Sequence, residues 1–194
     1  MSDRRYAGSD PMLRRLVGEL LLGPNQNLRL AAGLLLAASP YRDRVGAVIG
    51  AELTSPAMSY PGPLRGSMLA ALAVVGRPSD RAIAEQILAT APTSSPLADS
   101  AAWSIGHIPG VSSTEFWHST VHRHRETWRR DPHPTTLSVL RGLAYALGMT
   151  GNHALLRQLR VDVRLPAPVR ATAAWWLNLP AHIVASTQPE QVGS

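Results

Sequence analysis

Five stretches of this chain share one pattern of apolar and polar positions. Begun at residues 30, 67, 97, 139 and 169, they superpose over ten residues each, at steps of 37, 30, 42 and 30. Counted back from the last residue of each stretch, the first apolar column is Ala38, Val75, Ile105, Leu147 and Leu177. Four residues earlier it is Leu34, Ala71, Ala101, Leu143 and Ala173, and four earlier again Leu30, Ser67, Leu97, Val139 and Val169. A spacing of four puts the three columns on one helix face, and Ser67 alone breaks the apolar rule. The last position is Ser39, Gly76, Gly106, Gly148 or Asn178, small or tolerant of left-handed backbone, as a helix end requires. Each stretch therefore reads as a helix whose buried face recurs down the chain.

A second, shorter helix is predicted after each stop. Ser39-Pro-Tyr-Arg-Asp-Arg-Val matches Gly76-Arg-Pro-Ser-Asp-Arg-Ala, so Asp43 and Asp80 read as equivalent N-caps of helices over 44–53 and 81–91. Ser112-Ser-Thr-Glu115 reads as a capping box opening a helix that runs to about Trp128, and Asn152 as the cap of 153–161. The fifth unit has only 181–186, before a polar tail, 187–194, expected to fray. Prolines fall in the connections, where they restart helices rather than interrupt them. Residues 11–23 form a further apolar-periodic helix without a counterpart. It reads as a cap on the first unit, or alternatively as a dimerisation or docking helix that leaves Leu20, Leu21 and Leu22 exposed in the monomer.

The stretches Leu97-Ala-Asp-Ser-Ala-Ala-Trp-Ser-Ile-Gly106 and Val139-Leu-Arg-Gly-Leu-Ala-Tyr-Ala-Leu-Gly148, each ahead of a capped second helix, resemble HEAT or HEAT-like repeats. The resemblance covers residues 28–186. It implies an all-α fold, a short right-handed α-solenoid of about five helix-turn-helix repeats behind an N-terminal capping helix, in one domain spanning 1–194. It also implies binding more than catalysis, mostly of other proteins and in a minority of cases of nucleic acid.

Composition narrows the setting. The apolar fraction of 45% is mostly Ala, Leu and Val, which favours helices over sheets. The absence of cysteine excludes disulfides and thiolate-bound metal and suits a reducing compartment. No apolar run approaches the roughly 20 residues of a membrane span, and Met1-Ser-Asp-Arg-Arg leads into polar sequence. A cytoplasmic protein is expected, with no membrane partner and no cofactor. All 19 basic residues are Arg, which reads as the codon bias of a high-GC genome. The net charge of +6 is not explained that way, and it suits an anionic partner.

The 42-residue step exceeds its 30-residue neighbours by 12, and the surplus lies between Trp117 and Pro134. This segment holds Arg123, Arg125, Arg129 and Arg130, with His118, His122, His124, His133 and Trp128. Insertions in helical arrays often mark the binding surface. One reading is a patch for phosphate or acidic side chains, with Trp interleaved among Arg. A second is a metal site, since Glu115, His118 and His122 recur about one turn apart. Yet no Glu follows His118 as a zincin helix requires. A third is an elongated helix with a solvated basic face and both Trp packed inward. Arg157, Arg160 and Arg164 continue the basic stripe in the next unit.

The leading expectation is thus a non-catalytic adaptor or regulatory module. It would recognise a protein with an acidic surface through Arg123, Arg125, Trp128, Arg129, Arg130, Arg157, Arg160 and Arg164. The alternative is a nucleic-acid-binding protein related to the HEAT-like glycosylases that excise alkylated bases. Those enzymes pair Trp with a nearby Asp, whereas here the residues four after the five Trp are His107, Val121, Pro132, Leu179 and Pro180. No Ser-His-Asp order or P-loop is evident. A final column, Trp103, Tyr145 and Trp175, reads as inter-repeat core or as a groove surface; the uniformly small column Gly33, Ala70, Ser100, Gly142 and Thr172 favours core.

Overall fold

The computed structural model describes residues 11–55 and 62–179, and among these the regular structure is entirely helical. The α-helices are α1 (Pro11–Leu22), α2 (Gln26–Ala37), α3 (Arg42–Thr54), α4 (Gly62–Val75), α5 (Arg81–Thr90), α6 (Pro96–Ile105), α7 (Thr114–Arg130), α8 (Pro134–Met149), α9 (His153–Val161) and α10 (Ala167–Asn178). A 3-10 turn, Pro78–Asp80, leads into α5. No helix among the described residues is long and apolar enough to cross a membrane.

Local chemistry sets the starts. Asn25 Oδ1 accepts from the backbone of Asn27 and Leu28, Ser95 Oγ from Ala98, Ser113 Oγ from Phe116 and Asn152 Oδ1 from Leu155. Each satisfies a donor that the first helical turn leaves unpaired. Proline in the first turn of α6, α8 and α10 gives up an N–H that has no partner there anyway.

Helix packing follows one alternating pattern. α4 packs on α6, α6 on α8 and α8 on α10, while α3, α5, α7 and α9 each lie against the helix that follows. The repeated apolar columns face this seam: Val75, Ile105, Leu147, Ala71, Ala101, Leu143, Ala173, Val139 and Val169 are all buried. α1 lies against α2 and α4. Its Leu20 and Leu21 are buried and Leu22 is exposed, so the apolar stretch is mostly consumed by packing. The second helix expected over 181–186 and the tail 187–194 lie outside the described residues.

The first unit departs from the expected register. Leu30 and Leu34 are more than half exposed, whereas Ala32, Gly33 and Leu36 are buried. α2 ends at Ala37, two residues before the expected stop, and Ser39 closes the turn through both its N–H and its hydroxyl to the Leu36 carbonyl. A helix with leucines on every side does not reveal its buried face by periodicity. What selects the face is close approach. A Cβ on Gly33 would meet Val74 at 3.1 Å and Leu20 at 3.2 Å, so α2 turns its smallest side chains toward α1 and α4.

The stop glycines also have a different cause from the expected one. Among the described residues, positive φ occurs only at Gly110 and Gly151, so Gly76, Gly106 and Gly148 are not left-handed stops. α8 runs one residue beyond Gly148, and the left-handed residue is Gly151. The glycines admit neighbours: a Cβ on Gly106 would lie 3.0 Å from Ala146 Cα, and one on Gly148 only 2.0 Å from Trp176 Cδ2. The aromatic column follows suit. Trp103 and Tyr145 rings lie 5.7 Å apart and Tyr145 and Trp176 5.3 Å. The third rung is therefore buried Trp176, and Trp175 points outward, 55% exposed.

The aspartates also divide. Asp43 is an exposed first-turn residue of α3, whose cap position is Tyr41. Asp80 is buried and accepts from Arg77 through its backbone N–H at 2.8 Å and its guanidinium at 2.8 and 3.1 Å, closing the 3-10 turn instead of capping α5 with its side chain. That contact holds the Arg77 pKa above its ordinary value.

Candidate binding surfaces

The surplus segment is one continuous helix, α7, of 17 residues. Its cap is Ser113, one residue later than the expected capping box, and Ser112 is drawn into the interior as an acceptor for Arg81. Trp117, Thr120, Val121 and His124 form the buried face, and Trp128 is half-buried against the core. Both Trp thus pack inward. Glu115, His118 and His122 are exposed, and among the described residues no three His, Cys, Asp or Glu side chains come together to hold a metal ion. His133 serves as the cap of α8, Nδ1 accepting from the Thr135 backbone at 3.2 Å.

Three of the four arginines of α7 are turned to internal partners. Arg123 donates to the carbonyls of Leu88 and Ala91, both at 2.6 Å, and so closes the C-terminus of α5, where free carbonyls and the helix dipole favour a cation. Arg125 and Arg129, one turn apart, both donate to the Asp162 carboxylate just beyond α9, Arg129 at 3.0 Å, and Arg129 also pairs with Glu126. Arg164 adds its backbone N–H at 3.1 Å and its Nε at 3.3 Å to the same carboxylate. Burial alone would raise the Asp162 pKa; these donors overcome it and hold the group down at about 2. Arg130 is exposed at the end of α7, and Arg157 and Arg160 are exposed on α9, with no ion pair among the described residues.

Asp162 is the residue that the pattern of apolar positions passes over. Its signal is a lone acid inside Arg160-Val-Asp-Val-Arg164, a place where an unpaired carboxylate has no packing reason to be. Asp162→Asn is expected to lower stability by about 2 kcal/mol. That is below the 3–5 kcal/mol for breaking a fully buried pair, because Arg125 and Arg129 keep about a fifth of their surface in water. Urea denaturation reads it; a change under 0.5 kcal/mol would mean that the cluster is a screened surface pairing.

The remaining cationic surface centres on α9. Arg157 and Arg160, three residues apart on one face, line with His153, Val161 and Leu177 a shallow cavity of about 390 Å³. Val161 and Val163 stand largely in solvent beside it, 69% and 79% exposed. The arrangement offers charge-assisted donors around apolar contact area. What fold and surface define is an all-α protein with a basic, partly apolar face at α9. No family profile, no curated protein and no solved structure matches the chain.

Proposed function

We propose that this chain is a non-catalytic binding module, a HEAT-like right-handed solenoid of helix-turn-helix repeats, that docks an acidic segment of a protein partner. The recurrence of the buried columns in α4, α6, α8 and α10, and the successive packing of these helices on one another, support the repeat reading. The observation that carries the partner is the pair Arg157 and Arg160, without an ion pair among the described residues and set around an apolar hollow, while Arg123, Arg125 and Arg129 are engaged within the fold. Arg suits bidentate carboxylate recognition, and exposed Val161 with the half-buried Leu177 beside it suits an amphipathic acidic peptide. Engagement of three α7 arginines leaves a short cationic face, which favours a peptide over a polyanion spanning many phosphates.

The test is binding to a library of acidic amphipathic peptides, with a duplex and a single-stranded oligonucleotide alongside. Selected peptides are expected to lose at least tenfold in affinity with Arg157→Glu/Arg160→Glu while Arg123 variants change stability instead. Oligonucleotide retention with a steep salt dependence and no peptide binding would replace the protein-partner reading by the nucleic-acid one.

A further inference from the structure

A second cavity, of about 910 Å³, opens between the loop joining α6 to α7 and the turn joining α8 to α9. That volume lies in the range of small-molecule sites. It is built around Arg81, the first residue of α5, which is 3% exposed. Its Nε donates to Ser112 Oγ at 2.6 Å, and its Nη1 to the carbonyls of Ile105 at 3.0 Å and Ile108 at 2.7 Å, so one guanidinium shapes the whole loop. The guanidinium carbon lies 5.9 Å from the Trp117 ring centre. The loop reverses at Gly110, φ +107°, where a Cβ would press on the Pro78 carbonyl at 3.1 Å and on Arg81 Cδ at 3.3 Å.

The remaining Arg81 nitrogen, Nη2, is buried and has no hydrogen-bond partner. A buried donor left unmade costs stability, and a cation more than a neutral group. Glu85 does not supply the acceptor: its Oε1 is 3.9 Å from Nε, beyond hydrogen-bond reach. Burial lowers the Arg81 pKa against the weaker opposing pull of Glu85, the mark of a charge that the fold under-compensates. Arg81 is part of the cavity lining, and Nη2 is the one of its nitrogens that the loop contacts leave unmade.

We propose that this cleft binds a small organic monoanion, an aryl or branched aliphatic carboxylate. One carboxylate oxygen takes the vacant Arg81 donor, and the apolar body lies against Trp117, Ile108 and Met149. Among the described residues Arg81 is the one arginine in the lining, which fits a single negative charge better than a phosphate dianion, and the apolar walls favour a hydrocarbon body over a bare ion. This site is separate from peptide docking on the Arg157–Arg160 face, although His153 borders both cavities.

Two-dimensional NMR of the whole chain tests it, with 3-phenylpropionate and 4-methylvalerate as probes and 3-phenylpropionamide and inorganic phosphate as comparisons. Both carboxylates are expected to shift the Trp117 indole N–H saturably, with the amide and phosphate at least tenfold weaker. Because Arg81 also holds the loop, the decisive variants leave it in place. Ala154→Trp, at an exposed position in the cleft wall, should abolish the shift, and His118→Glu at the exposed mouth should weaken the carboxylates but not the amide. Arg157→Glu/Arg160→Glu should leave the shift unchanged, which keeps this site distinguishable from the peptide face. No saturable shift, equal binding of amide and carboxylate, phosphate binding as tight as the carboxylates, or binding that survives Ala154→Trp would each overturn the assignment.

Discussion

Gly148→Ala is expected to lower folding stability by about 3 kcal/mol, at the upper end of what overpacking a core costs. In an ordinary helix the same change would stabilise by roughly 1 kcal/mol, so the sign alone is informative. The new Cβ would lie 2.0 Å from Trp176 Cδ2 and 2.2 Å from its Cγ. These are ring atoms next to the backbone, not the tip of a flexible chain. The ring is also wedged edge-on against Tyr145 at 5.3 Å and against Trp175 at 5.0 Å. Relief requires α10 to move away from α8. Urea denaturation of the single variants and of Gly148→Ala/Trp176→Leu forms a double-mutant cycle, and a coupling of at least 1 kcal/mol is expected because shrinking the ring makes room for the methyl. An unchanged or raised midpoint for Gly148→Ala would show that the two helices do not meet at this distance.

Acid is expected to destabilise the protein in two separate windows. His124 is fully buried, with neither ring nitrogen hydrogen-bonded. Burial pushes its pKa down to about 4, the nearby Arg123 charge pushes the same way, and the Leu88 carbonyl that would favour protonation already accepts from Arg123. Above pH 6.5 the ring is neutral in both the folded and unfolded states and adds no pH dependence. As pH falls below 6.5 the unfolded chain takes up a proton that the native state refuses. Stability therefore declines down to about pH 4, by about 3 kcal/mol in all at 1.36 kcal/mol per pKa unit. Asp162 acts lower and separately: its folded pKa of about 2 lies below its ordinary 3.8, so the stability it contributes is present above 3.8 and disappears as pH falls through 2. Thermal melts between pH 8 and pH 4 should show the first slope in the wild type and lose most of it in His124→Leu. A small residual slope is expected from His107, a solvent-exposed ring beside Tyr145 whose pKa is lowered by desolvation. A His124→Leu chain with the full wild-type slope would place the acid sensitivity elsewhere.

The helices and their buried faces were legible where one face of a helix is apolar and the other is not. From α4 to α10 the repeated columns therefore marked the buried face, and Asn152 marked a helix start through its side-chain chemistry alone. α2 was illegible for the opposite reason: with Leu28, Leu30, Leu34, Leu35 and Leu36 distributed around it, hydrophobicity carries no direction, and the small patch at Ala32 and Gly33 decides. The stop glycines were recognised but for another physical reason, since a sequence does not distinguish a glycine needed for its backbone angle from one needed for the space beside it. The same limit applies to the arginines. Arg123 and Arg125 look like neighbours in a surface patch, but at roughly 100° per residue they leave the helix on nearly opposite sides. Each meets an acceptor 32 or more residues away in sequence, so no local pattern announces that its charge is already used.

That divergence gives α7 a mechanical role. Through Arg123 it grips the end of α5 behind it, and through Arg125 and Arg129 it grips Asp162 beyond α9 ahead. A stack in which each helix touched only its neighbours would bend and fray one unit at a time. A strut anchored at both ends is expected to make the segment from α5 to α9 open as one block, which amide exchange would read as uniform protection across it.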